Sequence, residues 1–131
     1  MHAEIFTVCD AATVQQGKLN ILGSFDTLTF GSFPYRYPAF CIVAKVRFSI
    51  DEIGSHTVEV RWMDADGEIV DRYPVAECEV DFTPGRDIWQ HVFHLSEKEF
   101  YAPTEYQLQI VVDATLLASI PLYIKGNKPE E

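Results

Sequence analysis

The chain reads as an all-β protein, an antiparallel two-sheet sandwich of immunoglobulin-like or C2-like shape, with a closed β-barrel as the alternative. Three observations lead there. Apolar and polar residues alternate at period two along most of the sequence, which is how a strand with one buried face is written. Turn-forming clusters interrupt the alternation often enough to cut about seven to nine short strands, roughly one every 8–12 residues. No stretch carries a sustained helical period. A length of 131 residues suits one domain, here taken as residues 1–125 with a charged tail at 126–131, and such a domain buries about two-thirds of its unfolded surface.

Taken in order, Glu4 to Asp10 is the first β-rich run. Gln15-Gln16-Gly17-Lys18 turns the chain into a second run, Lys18 to Phe30, which Gly23 interrupts as a β-bulge would. Asp10 and Thr13 carry side-chain oxygens suited to capping that first connection. The clearest strand is Phe40 to Ile50. Phe40, Ile42, Ala44, Val46, Phe48 and Ile50 share one face, and Lys45, Arg47 and Ser49 the other, where Cys41 and Val43 are unexpectedly apolar. His56 to Met63 places Val58, Val60 and Trp62 inward. Asp66-Gly67 then predicts a hairpin into Ile69-Val70.

The next run alternates Ala76, Cys78, Val80 and Phe82 with Glu77, Glu79 and Asp81, and Thr83-Pro84-Gly85-Arg86 ends it. Ile88 to Leu95 follows. Ser96-Glu97-Lys98-Glu99 matches a capping box and predicts one helical turn. Tyr106, Leu108, Ile110 and Val112 mark another inward face, and Asp113-Ala114-Thr115 turns into Leu116 to Lys125. Pro121 makes that last run an edge strand, because proline cannot donate to a central ladder. Tyr106, at the start of the penultimate strand, occupies the place of the tyrosine that anchors a corner in immunoglobulin-like sandwiches.

Charge narrows the function classes. Ten basic residues against 20 acidic ones leave a net charge of -10, the wrong sign for duplex nucleic acid or an anionic membrane. The apolar runs fall far short of the roughly 20 residues that span a bilayer. The first residues lack the basic and apolar regions of a secretory signal, so the expected location is the cytoplasm. Cys9, Cys41 and Cys78 are odd in number, widely spaced and set within strand-like runs. They read as small core fillers, without a C-x-x-C pair for metal or redox chemistry.

Few constellations carry chemistry. Asp64-Ala65-Asp66-Gly67-Glu68 supplies three carboxylates at a turn, and Asp64, Asp66 and Glu68 are the candidate calcium ligands; no other cofactor is expected. The bland alternative is a simple hairpin. Residues 31–40 pack four aromatics, two prolines and one arginine into a connection. Phe33, Tyr35, Arg36 and Tyr37 are the candidate binding patch, because aromatics and arginine dominate recognition hot spots; otherwise these rings plug one end of the core. His91 and His94 lie three apart, hence on opposite strand faces, and cannot share an ion. No nucleophile elbow, phosphate loop, dinucleotide fingerprint or zincin motif occurs.

The opening His2-Ala3-Glu4-Ile5-Phe6-Thr7-Val8-Cys9-Asp10-Ala11-Ala12-Thr13, followed by Gly17-Lys18-Leu19-Asn20-Ile21-Leu22-Gly23-Ser24-Phe25-Asp26-Thr27, resembles a family of small bacterial proteins of about this length and of unknown function. Tyr106-Gln107-Leu108 through Pro121-Leu122-Tyr123-Ile124 is similar to that family's closing hairpin. The resemblance implies a stand-alone cytoplasmic β-domain and transfers no activity, catalytic residue or cofactor. The expected function is therefore a non-catalytic binding or interaction module, with a protein partner or a second copy of itself as the expected partner. A calcium- or small-molecule-binding domain and a small hydrolase with an unrecognised site are the alternatives.

Overall fold

A computed structural model describes residues 1–74, 78–81 and 83–127. Eleven strands are described: β1 (His2–Gln15), β2 (Lys18–Phe25), β3 (Thr27–Phe30), β4 (Tyr35–Arg47), β5 (Gly54–His56), β6 (Val58–Met63), β7 (Ile69–Pro74), β8 (Cys78–Val80), β9 (Ile88–Phe100), β10 (Thr104–Val112) and β11 (Thr115–Gly126). One sheet runs β2-β1-β4-β9 and the other β3-β11-β10-β6-β7, with β5-β8 as a small third ladder. Neither large sheet closes on itself, so the fold is a sandwich and not a barrel. Pairing is antiparallel except for β3, which runs parallel to β11. The chain crosses between sheets at Asp26, whose carbonyl accepts from the Tyr123 amide at 2.8 Å.

Period two places the core where alternation predicts. Phe40, Ile42, Ala44 and Val46 from β4 meet Val58, Val60 and Trp62 from β6 and Leu108, Ile110 and Val112 from β10, all essentially inaccessible. β4 ends at Arg47, however. Ile50 lies in a single 3-10 turn, Ile50–Glu52, and is exposed. Here Ser49-x-x-Glu52 is the sequence pair that closes a turn: the Glu52 carboxylate accepts from the Ser49 amide at 2.8 Å. The turn expected at Ser96–Glu99 is instead part of β9. Lys98, Glu99 and Phe100 pair with Tyr37, Arg36 and Tyr35, and a ladder outweighs one isolated turn, whose nucleation is costly. Glu97 keeps a positive φ of 53° within that strand.

Two hairpins turn on pairs of residues with positive φ, Gln16-Gly17 (53° and 74°) and Asp113-Ala114 (50° and 66°), the backbone of a type I′ turn. The first connection is thus only Gln16-Gly17, so Asp10 and Thr13 do not cap it; both lie within β1. Gly23 is not a bulge either. The register of β1 and β2 is continuous across it, from Cys9↔Ser24 to Ala11↔Leu22. Its φ is +71°, and a β-carbon there would lie 2.4 Å from Asp10 Oδ2. Glycine is required because the Asp10 side chain lies over its backbone. Pro121 sits where β11 pairs only with β10, since β3 covers Tyr123–Gly126 alone; that part of β11 is an edge, as expected. Of the expected strand from Ala76 to Phe82, Cys78–Val80 is described; Ala76, Glu77 and Phe82 lie outside the described residues, as does the tail beyond Asn127.

Cys41 and Val43 mark a second apolar cluster on the outer face of the first sheet. With Cys9 and Ala12 they are 0–7% exposed, packed by Ile5, Leu19 and Val92. Pairing between β1 and β4 stops at Cys9↔Cys41, and beyond it β1 pairs only with β2. The freed hairpin bends across the outer face. The Gln90 side chain of β9 donates to the Gly17 carbonyl at its tip, 3.0 Å away. The fold thus covers its own outer apolar residues.

Candidate functional site

A concavity opens along one side of the sandwich, where the edge strands β7 and β9 face each other. It is a cleft of about 620 Å³ lined by Arg36, Asp71, Tyr73, Tyr101 and the β9 run His94–Glu99. Period two on β7 puts Asp71 and Tyr73 on one face. The Tyr73 hydroxyl donates to Asp71 Oδ2 at 3.0 Å, and Lys98 Nζ reaches the same oxygen at 3.2 Å. Lys98 also sits over the Trp62 ring, 4.6 Å from its centroid, so a buried aromatic floor holds the ammonium in place. The Trp62 indole nitrogen itself is buried and meets no hydrogen-bond acceptor among the described residues.

A second network occupies the far end. Arg36 donates to Glu99 Oε1 at 2.9 Å, and the Tyr101 hydroxyl donates to Glu99 Oε2 at 2.7 Å. Ionisation follows these contacts. Burial pushes the Asp71 carboxyl up, but donors from Tyr73, Lys98 and the Arg72 amide outweigh it and hold the group below the ordinary carboxylate range. Burial and the Asp71 carboxylate raise Tyr73 far above an ordinary phenol. Tyr101 and Arg36 lower Glu99. The Asp71 and Glu99 carboxylates and the Tyr73 and Tyr101 hydroxyls of the cleft are thus each committed to a partner.

Of the candidate patch, Arg36 alone reaches this cleft. Tyr35 stacks on Phe30 with centroids 4.2 Å apart, Phe33 meets the same ring edge-on at 6.0 Å, and Tyr37 tilts between Phe30 and Phe40. These rings plug one end of the core, although Tyr35 keeps one face at the surface, 38% exposed. Phe33 and Tyr37 are thus half-buried, and Tyr35 and Arg36 lie exposed at the rim.

Asp64, Asp66 and Glu68 are not brought together as a metal site; among the described residues no group of three acidic, cysteine or histidine side chains is placed to hold an ion. Asp64 Oδ1 accepts from the Asp66 and Glu68 amides, both at 2.9 Å, and positive φ falls on Gly67. The leading carboxylate is consumed by closing its own turn. His91 and His94 do occupy opposite faces: His91 stacks on Trp89 and meets Phe93 edge-on, whereas His94 Nδ1 lies 3.5 Å from Cys41 Sγ. Tyr106 is half-buried against Trp62 and Phe100, centroids 5.3 and 6.2 Å away. Its hydroxyl makes no hydrogen bond among the described residues, so its contribution there is packing.

A polar corner closes the opposite end. His56 Nδ1 faces Asp113 Oδ2 and Nε2 faces the Glu52 carbonyl, each at 2.5 Å, while Asp113 Oδ1 accepts from the Thr57 amide at 2.9 Å. Acceptors at both ring nitrogens favour the imidazolium, which carries two donors.

The cleft residues Asp71, Tyr73 and Tyr101 carry no motif. The cleft joins β7 and β9, edges of different sheets, and in the sequence Arg36, within the aromatic stretch, and Ser96–Glu99, within the expected turn, stand out. No helix among the described residues is long and apolar enough to cross a membrane.

Comparison with solved structures finds the same fold inside much larger proteins. The chain is similar to part of the alkylpurine DNA glycosylase AlkC of Pseudomonas fluorescens, a structure bound to DNA containing an abasic site analog, at a TM-score of 0.55 and 7% identity. The match covers 92% of this chain and 30% of the glycosylase. It is also similar to part of a β-glucosidase from Listeria innocua, in complexes with isofagomine (TM-score 0.51, 10% identity) and with glucose (0.50, 11%), covering 95% of this chain and 16% of the enzyme. At such identities the likeness is one of fold alone. No curated protein matches the sequence. A family profile matches residues 4–125, and the chain belongs to that family, the family of unknown function DUF6941.

Proposed function

We propose that the protein is a non-catalytic recognition module whose β7/β9 cleft takes an extended, mixed-charge segment of a partner protein. The observation that carries this reading is the composition of the cleft: two cations, Arg36 and Lys98, and three carboxylates, Asp71, Glu97 and Glu99, line it together with Tyr73 and Tyr101. A segment carrying both basic and acidic side chains finds groups of both signs there, and edge strands are where extended chains dock. The titrating groups support recognition over reaction. Asp71 and Glu99 are held ionised and Tyr73 protonated, whereas an acid or base catalyst is tuned towards the working pH.

An array of mixed-charge peptides, probed with the purified protein, tests the reading. The wild type retains a set of peptides that Lys98→Glu and Arg36→Glu release and that added salt weakens. Equal retention by both variants, or binding indifferent to salt, overturns it.

A second copy is the alternative partner. Cys41 and Val43 cannot drive self-association, being covered. Leu22, 70% exposed, and Val14, 46% exposed, lie instead on a hairpin, residues 11–25, that contains no acidic residue, and β2 is an unpaired sheet edge. Two copies carrying -10 each meet there with the least repulsion. Sedimentation at micromolar concentration decides: a dimer that Leu22→Lys dissolves supports it, and a monomer at all concentrations ends it.

A further inference from the structure

Two of the three cysteines stand face to face. Cys9 of β1 and Cys41 of β4 are direct partners in the antiparallel ladder, both in the covered outer cluster. Directly opposed residues have α-carbons about 4.5–5.5 Å apart, within the disulfide span of about 4.4–6.8 Å. Their β-carbons need draw in by only about 1 Å to reach the distance a disulfide takes. On the next strand His94 pairs with Cys41, its Nδ1 3.5 Å from the sulfur. A cavity of about 270 Å³ reaches this group from solvent, lined among others by Asp10, Cys41, His94 and Ser96. Cys78 is apart, in β8 on the other side of the sheet, packed in the main core.

We propose that Cys9 and Cys41 form a redox-active dithiol, converted by hydrogen peroxide into a disulfide that joins β1 to β4. His94 takes the Cys41 thiol proton, and the resulting thiolate attacks the peroxide O–O bond. One oxygen stays on sulfur as sulfenic acid, and the other leaves as hydroxide, which the proton on His94 converts to water. Cys9 then attacks the sulfenic sulfur; an S–S bond forms, and the hydroxyl leaves with the Cys9 thiol proton as a second water. Two thiols are oxidised by two electrons and one peroxide is reduced to two waters. The roles follow from the surroundings. Cys41 has the histidine and the cavity, whereas Cys9 has neither; burial, followed by its neighbour Cys41, raises its thiol above the ordinary value. Cys9 is therefore the resolving thiol, which waits for an electrophilic partner.

The experiment treats the native full chain with hydrogen peroxide and follows free thiols and intact mass. The wild type loses two of its three thiols and two hydrogens of mass, peptide mapping joins the Cys9 and Cys41 peptides, and dithiothreitol restores both. In Cys9→Ala the reaction stops at a Cys41 sulfenic acid that dimedone traps. Adding His94→Gln to that variant slows trapping by at least about tenfold. Three outcomes overturn the proposal: no internal disulfide in the wild type, Cys78 oxidised as fast as Cys41, or an unchanged trapping rate in the histidine variant.

Discussion

Gly23→Ala isolates a backbone requirement that no contact list would show. The residue sits at φ +71°, a region in which an L side chain costs about 1–2 kcal/mol. Its new β-carbon lies 2.4 Å from Asp10 Oδ2 and 2.9 Å from Asp10 Cγ, so the aspartate must leave its rotamer. Because Asp10 is exposed, that movement costs about 0.5–1.5 kcal/mol and leaves the backbone in place. Alanine also restricts the unfolded chain, which returns about 0.4–1 kcal/mol. The net expectation is a loss of about 2 kcal/mol, read from urea unfolding followed by tryptophan fluorescence. The same substitution in an Asp10→Ala background keeps the φ strain and sheds most of the clash, so its cost falls to about 1 kcal/mol. A change below about 0.5 kcal/mol, or the same cost in both backgrounds, refutes the account.

Ala114→Gly relieves a non-glycine residue at φ +66° in the β10–β11 turn and is expected to stabilise by about 0.5–1 kcal/mol in the same assay. Val43→Ala, at an outward strand position yet 0% exposed, is expected to cost about 2 kcal/mol; an ordinary outward position would cost under about 0.5 kcal/mol. At the His56 corner, burial lowers the histidine, but the Glu52 carbonyl and the Asp113 carboxylate outweigh it and raise its native value above 6.5. Its stabilisation is thus complete below 6.5 and is lost as pH climbs through the raised value. Asp113, lowered from 3.8 by the Thr57 amide and His56, acts at the other limb: its share is present above 3.8 and lost as pH falls through the native value. Thermal unfolding across pH 3–9 is expected to show both limbs in the wild type, with the alkaline one missing in His56→Gln.

The strands that alternate most regularly were legible as elements: Val58, Val60 and Trp62, or Leu108, Ile110 and Val112, each declare a buried face within one short run. Turns written with positive-φ chemistry were legible too, at Asp66-Gly67 and Gln16-Gly17. Misreadings came where one local pattern served two structures. Ser96-x-x-Glu99 and Ser49-x-x-Glu52 are the same signal, yet only the second is a turn, because β4 offers Ser96–Phe100 a ladder. Asp64 showed three carboxylates in sequence but not that two backbone amides already claim the first. The cleft was illegible because its halves, Asp71 with Tyr73 and Lys98 with Glu99, come from edges of different sheets.

The sequence by itself determined an all-β chain, the inward residues of its main strands, its cysteines as buried groups and an acidic surface. Each of these follows from nearest-neighbour periodicity or from composition, which chain order records directly. Tertiary structure alone decided what lies beside what. Val43, on the outward parity of its strand, is buried because the β1–β2 hairpin bends over it, and Cys9, Cys41 and His94 are neighbours only through register. The physical reason is that pairing between distant strands is selected by the global burial of faces, to which a local pattern contributes only one side.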